Sequence, residues 1–419
     1  MRISTIQQFN SGVRGIQDNY SNATRTQEQI SSGKRILTPA DDPVATVRLL
    51  QLNQESNRLE QFSTNMTAAN NSLTQEEAIL NSVNNVLQRV REIAIEAGDG
   101  SKSDADRQAL ATELEQREEE LYNLFNSRNA RGEYLFGGYQ SSEQPFVKNP
   151  DGSYSYQGDE GQRSIQIAGS KYVAINDNGK DLFVNVANVN RVNTEADAGN
   201  TGSGRISLGV VENKSAYDTT FYPQGSVSIV IGATADSYEI VDSGGNPLTP
   251  PVTGQLEEND EGGYTVRYAG VAVTLDGDFA AGDSFSISTG DSTPGSTNRE
   301  TRSVLETVAL LRSTLEDGTS STEDKLVRRD VVAVSLENLD NAMNKVLGVQ
   351  TTIGARMNVI ESTLTENEEV SLINTSVTSE LEDLDYAEAL SRLSLQSVVL
   401  EASQQSFVRV SGLSLFNLL

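Results

Sequence analysis

The 419-residue chain contains no cysteine, no histidine and no tryptophan. Without thiols there is no disulfide framework, no thiolate metal centre and no cysteine nucleophile. Without imidazole there is no Ser-His-Asp triad and no histidine-ligated zinc site. Acid–base chemistry would fall to carboxylates, lysine or tyrosine, and no motif here arranges them for it. The reading is therefore of a protein that is not an enzyme and needs no cofactor. Positive charge is also scarce: 32 Lys and Arg stand against 59 Asp and Glu, a net charge of −27. Phosphate binding needs clustered Lys and Arg, so no nucleic-acid partner is expected. No run approaches the roughly 18 apolar residues of a membrane-spanning helix, so no membrane insertion is expected. The opening Met1-Arg2-Ile3-Ser4-Thr5-Ile6 lacks the apolar stretch of a cleaved secretory leader.

What is present divides into two compositions. Most of the 33 glycines and 9 prolines fall between residues 141 and 300. The flanks carry helical periodicity instead. Ile6, Phe9, Val13, Ile16, Tyr20, Ala23, Gln27 and Ile30 follow a three-four spacing that lines one helix face. Ser31-Ser32-Gly33 supplies the stop, with Gly33 as a left-handed cap. Pro39 sits in the polar stretch that follows. Asp41-Asp42 is read as a helix cap rather than a catalytic carboxylate pair, with Pro43 at the first helical position. A second register runs from Ala45 to Ala97, broken only at Arg48, Glu55 and Glu76. Ser103 begins another helix, along which Glu118-Glu119-Glu120 is expected to be a solvated face. Stripes return at 304–315, 332–364 and 381–416.

The middle shows the other period. Ser164–Ile167, Ser226–Ile231 and Phe285–Ser288 alternate or run β-branched, separated by turn formers at 149–152, 244–247 and 276–278. Asp276, Asp278 and Asp283 match no calcium-loop spacing and are expected in solvated turns. The pattern predicts a mainly α protein with a β insertion. Its N- and C-terminal segments form a long antiparallel coiled-coil or helical-bundle rod, and the β-rich domain is exposed. Three parts are expected: a terminal coiled-coil assembly domain from 1–40 with 385–419, a helical rod from 41–140 with 299–384, and the insertion over 141–298. Excision between Gly138 and Arg299 should leave the rod folded.

Both ends carry thin apolar stripes. Ile6, Phe9, Val13, Ile16 and Tyr20 mark one; Phe407, Val410, Leu413, Leu415 and Phe416 mark the other. A two-helix pair buries too little area to offset its chain entropy. Self-assembly, with ends weakly ordered in the isolated chain, is therefore favoured over docking of the ends onto their own rod.

Several motifs match a known family. Ile30-Ser31-Ser32-Gly33-Lys34-Arg35-Ile36 followed by Asp41-Asp42 resembles a segment of bacterial flagellins, as does Leu87-Gln88-Arg89-Val90-Arg91-Glu92-Ile93-Ala94. Thr38-Pro39-Ala40-Asp41-Asp42-Pro43, Gly132-Glu133-Tyr134-Leu135-Phe136-Gly137-Gly138, Tyr156-Gln157-Gly158-Asp159 and the ending Ser411–Leu419 are similar to the hook-associated protein 3 branch of that flagellin-like family. The resemblance covers both flanks and the start of the insertion. It implies a structural subunit of the bacterial flagellum at the hook–filament junction. Such a subunit is exported by a type III apparatus with an export chaperone and forms a ring or tube of its own copies. It stands on hook-associated protein 1 and is followed by flagellin. Two other readings stay open: a flagellin filament subunit, and a surface adhesin that binds through the insertion.

Overall fold

The computed structural model describes residues 5–234, 236–259, 262–290, 299–317 and 321–416. Helices α1 (Thr5–Ser32), α2 (Pro43–Ala97) and α3 (Asp104–Phe125) form the first flank. Then come β1 (Phe146–Lys148), β2 (Tyr154–Tyr156), β3 (Ser164–Gln166), β4 (Tyr172–Ala174), β5 (Val186–Ala187), β6 (Val192–Ala196), β7 (Arg205–Ile206) and β8 (Val210–Val211). Two single turns, α4 (Lys214–Ala216) and α5 (Tyr222–Gln224), lead to β9 (Ser226–Ile231), β10 (Ser237–Asp242) and β11 (Pro247–Gln255). They are followed by β12 (Tyr264–Tyr268), β13 (Val271–Asp276), β14 (Ser284–Thr289) and β15 (Thr301–Arg302). Helices α6 (Val304–Glu316), α7 (Thr322–Glu382) and α8 (Tyr386–Phe416) complete the chain. The expected mainly α protein with a β-rich middle is what forms.

Local chemistry sets the helix ends. Gly33 ends α1 at φ +74°, its N–H donating to Gln29 O at 2.9 Å. Asp42 Oδ1 accepts from Ala45 N at 3.0 Å at the start of α2, whose first residue is Pro43. Ser103 with Asp106 and Ser303 with Glu306 form reciprocal capping boxes on α3 and α6.

The chain divides into two compact units. The smaller joins residues 1–66, 167–170 and 361–419; the larger joins 67–166 and 171–360. In the larger, the C-terminal half of α2 runs antiparallel to α7. Arg91 reaches Asp340 at 2.7 Å, and Gln350 donates to Asn81 at 2.8 Å. Leu73, Leu80, Val83, Leu87, Val90 and Ile93 are buried along this part of α2. Helix α3 packs on α6. Beside them Phe125 stacks on Phe183 at 3.8 Å, with Phe136 and Phe146 completing an aromatic cluster.

The same unit holds a β-sandwich. One antiparallel sheet has the order β11-β10-β9-β14-β6; the other is β12-β13-β7, with β8 also on β13. Alternation along β9 buries Val227, Ile229 and Ile231, and Ile229 lies opposite both Ile240 and Phe285. Val266, Val273 and Leu275 supply the facing layer. Polar contacts key the sandwich to α7. Asn338 donates to Asn188 Oδ1 at 3.0 Å and accepts from Val189 N at 2.9 Å. Arg205 reaches Asp330 at 2.6 Å, and Arg329 reaches Asp276 at 2.7 Å.

Several acidic groups expected at the surface are internal. Glu118 is 2 % exposed, because it accepts from the Tyr154 hydroxyl at 2.6 Å and pairs with Arg312 at 2.8 Å. Asp276 and Asp283 are buried; only Asp278 stays exposed. Asp283 accepts the Thr201 and Ala280 N–H groups, each at 2.8 Å, so it organises a loop. Among the described residues, no group of three or more His, Cys, Asp or Glu could hold a metal ion. No helix there is long and apolar enough to cross a membrane. The excision points also need correction. Phe146 and Phe183 lie between Gly138 and Arg299 yet form part of the core beside α3.

Candidate assembly interface

The smaller unit is built from the two ends of the chain, and α1 lies antiparallel to α8. The Phe9 and Phe407 rings are 5.0 Å apart, Asn19 donates to Ser403 at 3.2 Å, and Arg392 donates to Gln29 at 3.1 Å. Gly12 makes room for the Phe407 ring: a Cβ there would stand 2.9 Å from Phe407 Cδ2. The opposed stripes therefore meet, but incompletely. Val13, Ile16 and Phe407 are half-buried, while Phe9 is 51 % and Tyr20 63 % exposed. Ile6 lies within α1, and Val410, Leu413, Leu415 and Phe416 lie within α8. The side chains of those five fall outside the described residues.

Below this pair a clasp joins the turn after α1 to the turn before α8. Arg35 N donates to Glu382 O at 2.7 Å, and Leu384 N donates to Gly33 O at 3.0 Å. The Arg35 guanidinium donates to Leu381 O at 2.8 Å. Lys34 pairs with Glu382, and that hydrogen bond raises the ammonium pKa. Pro39 occupies a turn closed by Asp41 N donating to Thr38 O at 3.0 Å. Asp41 does more than cap a helix. Its carboxylate accepts the Leu37 and Thr38 N–H groups at 2.9 and 3.0 Å and pairs with Arg25 of α1. Ile36, Ala45 and Leu49 close over Leu381 as a small core.

Further apolar side chains of this unit are exposed. At the start of α2, Ala45, Leu49 and Leu52 face inward, while Val44 is 82 %, Val47 58 % and Leu50 59 % exposed. Along α8, Ala389 is buried, and Leu393 and Leu400 are half-buried. On its other side Leu395 and Val398 are 66 % and 62 % exposed, with Val399 beside them. On α7, Leu372 and Ile373 are exposed. A helix apolar on two faces is one built to be covered twice. Sequence periodicity places the α8 residues in one apolar run over 381–416, without separating an inner face from a second, outer one. The second was available in the sequence as paired apolar neighbours, Val398-Val399 and Leu372-Ile373, of which a single stripe uses only one.

Comparison with known proteins is consistent with this geometry. The bacterial flagellin N-terminal helical region matches residues 3–141, and the bacterial flagellin C-terminal helical region matches residues 336–419. Flagellar hook-associated protein 3 of Escherichia coli (strain K12) is 24 % identical over 100 % of this chain and 99 % of its own length. The crystal structure of flagellar hook-associated protein 3 from Legionella pneumophila is similar at TM-score 0.65 and 29 % identity, covering 79 % of this chain and 98 % of that one. The flagellar junction protein FlgL from the same organism gives TM-score 0.62 and 29 % identity, over 80 % of this chain and 99 % of that one. With both terminal helical regions matched and these relatives aligned, the chain belongs to the bacterial flagellin-like family and is a structural component of the flagellum.

Proposed function

We propose that the chain is the subunit that joins hook to filament, packing as a ring or tube of its own copies through the unit formed by its two ends. The observation that carries this is the concentration of exposed apolar side chains on that unit: Val44, Val47 and Leu50 on α2, and Leu395, Val398 and Val399 on α8. The proposed interface includes the sequence-marked residues Ile6, Phe9, Val13, Ile16, Tyr20, Phe407, Val410, Leu413, Leu415 and Phe416. Gly33, Pro39, Asp41, Asp42 and Pro43 are the structural turn and caps between α1 and α2 in this reading. The proposed division is into assembly ends (1–40 with 385–419), rod (41–140 with 299–384) and insertion (141–298), with the assembly surface extended onto the start of α2 and the aromatic cluster of Phe146 and Phe183 assigned to the rod. Similarity to a flagellar junction protein supports the position. The partners are then hook-associated protein 1 on one side and flagellin on the other, with delivery by type III export on a chaperone. The role is mechanical, with no catalysis. Immunogold labelling of intact cells tests it. Label confined to the hook–filament boundary is expected; label along the filament would make the chain a filament subunit instead.

A further inference from the structure

A buried carboxylate outside the assembly surface is only half satisfied by its neighbours. Glu76, on α2, is 1 % exposed. Its Oε1 accepts the Asp177 N–H at 3.0 Å, while its Oε2 has no hydrogen-bond partner. The 175–178 loop carrying Asp177 lies between α2 and α7. On the α7 side Arg356 grips the Asp177 carboxylate with two donors, at 2.8 and 3.0 Å. Gln162 donates to the same carboxylate at 2.6 Å. The other charged neighbour is Arg163, whose own backbone binds Asn176 and Ile175 and whose guanidinium faces Glu133 at 3.6 Å. Arg356 is thus engaged with Asp177, Arg163 makes only a loose ion pair and keeps an unpaired buried Nε, and the carboxylate closest to Glu76 along its hydrogen bond is that of Asp177.

We propose that Glu76, Asp177 and Arg356 form a proton-held latch: Glu76 keeps its proton in the folded chain, and losing it frees the 175–178 loop from between α2 and α7. The argument is geometric. An ionised Glu76 would be a desolvated anion beside Asp177, with one N–H donor to stabilise it. Arg356, the stronger of the two compensating cations, is held by Asp177, so Glu76 can gain it only by breaking that pair; Arg163 makes no hydrogen bond to Glu76. Burial, and then the Asp177 charge, push the Glu76 pKa up to about 8 against the opposing pull of the Asp177 N–H, Arg356 and Arg163.

The sign follows from proton binding. The unfolded chain releases this proton near the ordinary carboxylate value of 4.5, whereas the folded chain keeps it to about 8. Stability from this site is therefore whole below the lower value, falls as pH rises between the two, and is level above the higher.

The test compares the full chain with Glu76→Gln, which mimics the neutral acid. Melting temperature is measured from about pH 4 to about pH 10, with amide exchange of the 171–180 segment normalised to intrinsic rates. The wild type should lose roughly 2–5 °C relative to Glu76→Gln between about pH 5 and about pH 8, with no further divergence above. Exchange at Asp177 should rise about tenfold from about pH 7 to about pH 9.5 in the wild type only. Parallel melting curves would overturn the retained proton. Diverging melts with unchanged exchange at Asp177 would overturn the release of the loop.

Discussion

At the scale of single residues, a buried polar side chain is the feature least legible from its sequence neighbours. Glu118 sits among three consecutive glutamates, yet it alone is turned inward to Tyr154 and Arg312. Nothing local distinguishes it from Glu119 and Glu120, because its cation lies 194 residues away along the chain. Truncation of one member of a buried ion pair leaves the other uncompensated, so Glu118→Ala should lower unfolding free energy by about 3 kcal/mol. Glu119→Ala and Glu120→Ala should stay within about 0.5 kcal/mol. Urea titrations of the three variants check the contrast. Gly33 is the opposite case, legible from its neighbours alone. Its φ of +74° suits glycine, and a Cβ there would meet the Tyr386 hydroxyl at 3.1 Å. Gly33→Ala should cost about 1 kcal/mol. The loss should appear as faster amide exchange around Gly33 and Leu384, with the larger unit unchanged.

At the scale of elements, helices and the β-rich middle were legible because period and punctuation agree. The stripe from Ala45 to Ala97 became one helix, and Ser226–Ile231 became a strand with alternate residues buried. Where the insertion ends was harder to read. Glycine and proline content changes near residue 140, but the aromatic cluster with Phe125 continues through Phe146 to Phe183. Composition reports local backbone preference, whereas a core is made by contacts distant in sequence. The sandwich itself has a closer-set doorway: Gly290 N donates to Arg191 O at 2.7 Å, so the chain enters and leaves at adjacent residues. Replacing residues 192–289 by a short turn should keep a cooperative helical transition. Its midpoint should fall, because Asp330 loses Arg205 and Arg329 loses Asp276. Removing residues 139–298 should abolish cooperativity by emptying the aromatic cluster. Circular-dichroism melts of the two deletions distinguish these outcomes.

At the scale of the whole molecule, the two units have finished their surfaces to different degrees. The larger buries a continuous apolar line along α2 and a closed sandwich core. The smaller leaves valines and leucines of α2 and α8 in water, a state that favours association over isolation. That difference predicts how substitutions separate folding from assembly. Val47 and Val398 are 58 % and 62 % exposed, so an aspartate at either costs little in the free chain. In a packed wall of subunits each charge would be desolvated beside a neighbour, at several kcal/mol per subunit. The penalty recurs at every position of the ring. Val47→Asp and Val398→Asp should therefore melt like the wild type, within about 2 °C, while cells carrying them lose filaments and release flagellin into the medium. Leu80→Asp is the control with the opposite signature: its position is fully buried on α2, and the melt itself should collapse. Normal filaments with Val398→Asp, alongside an unchanged melt, would show that the outer face of α8 is not a subunit contact.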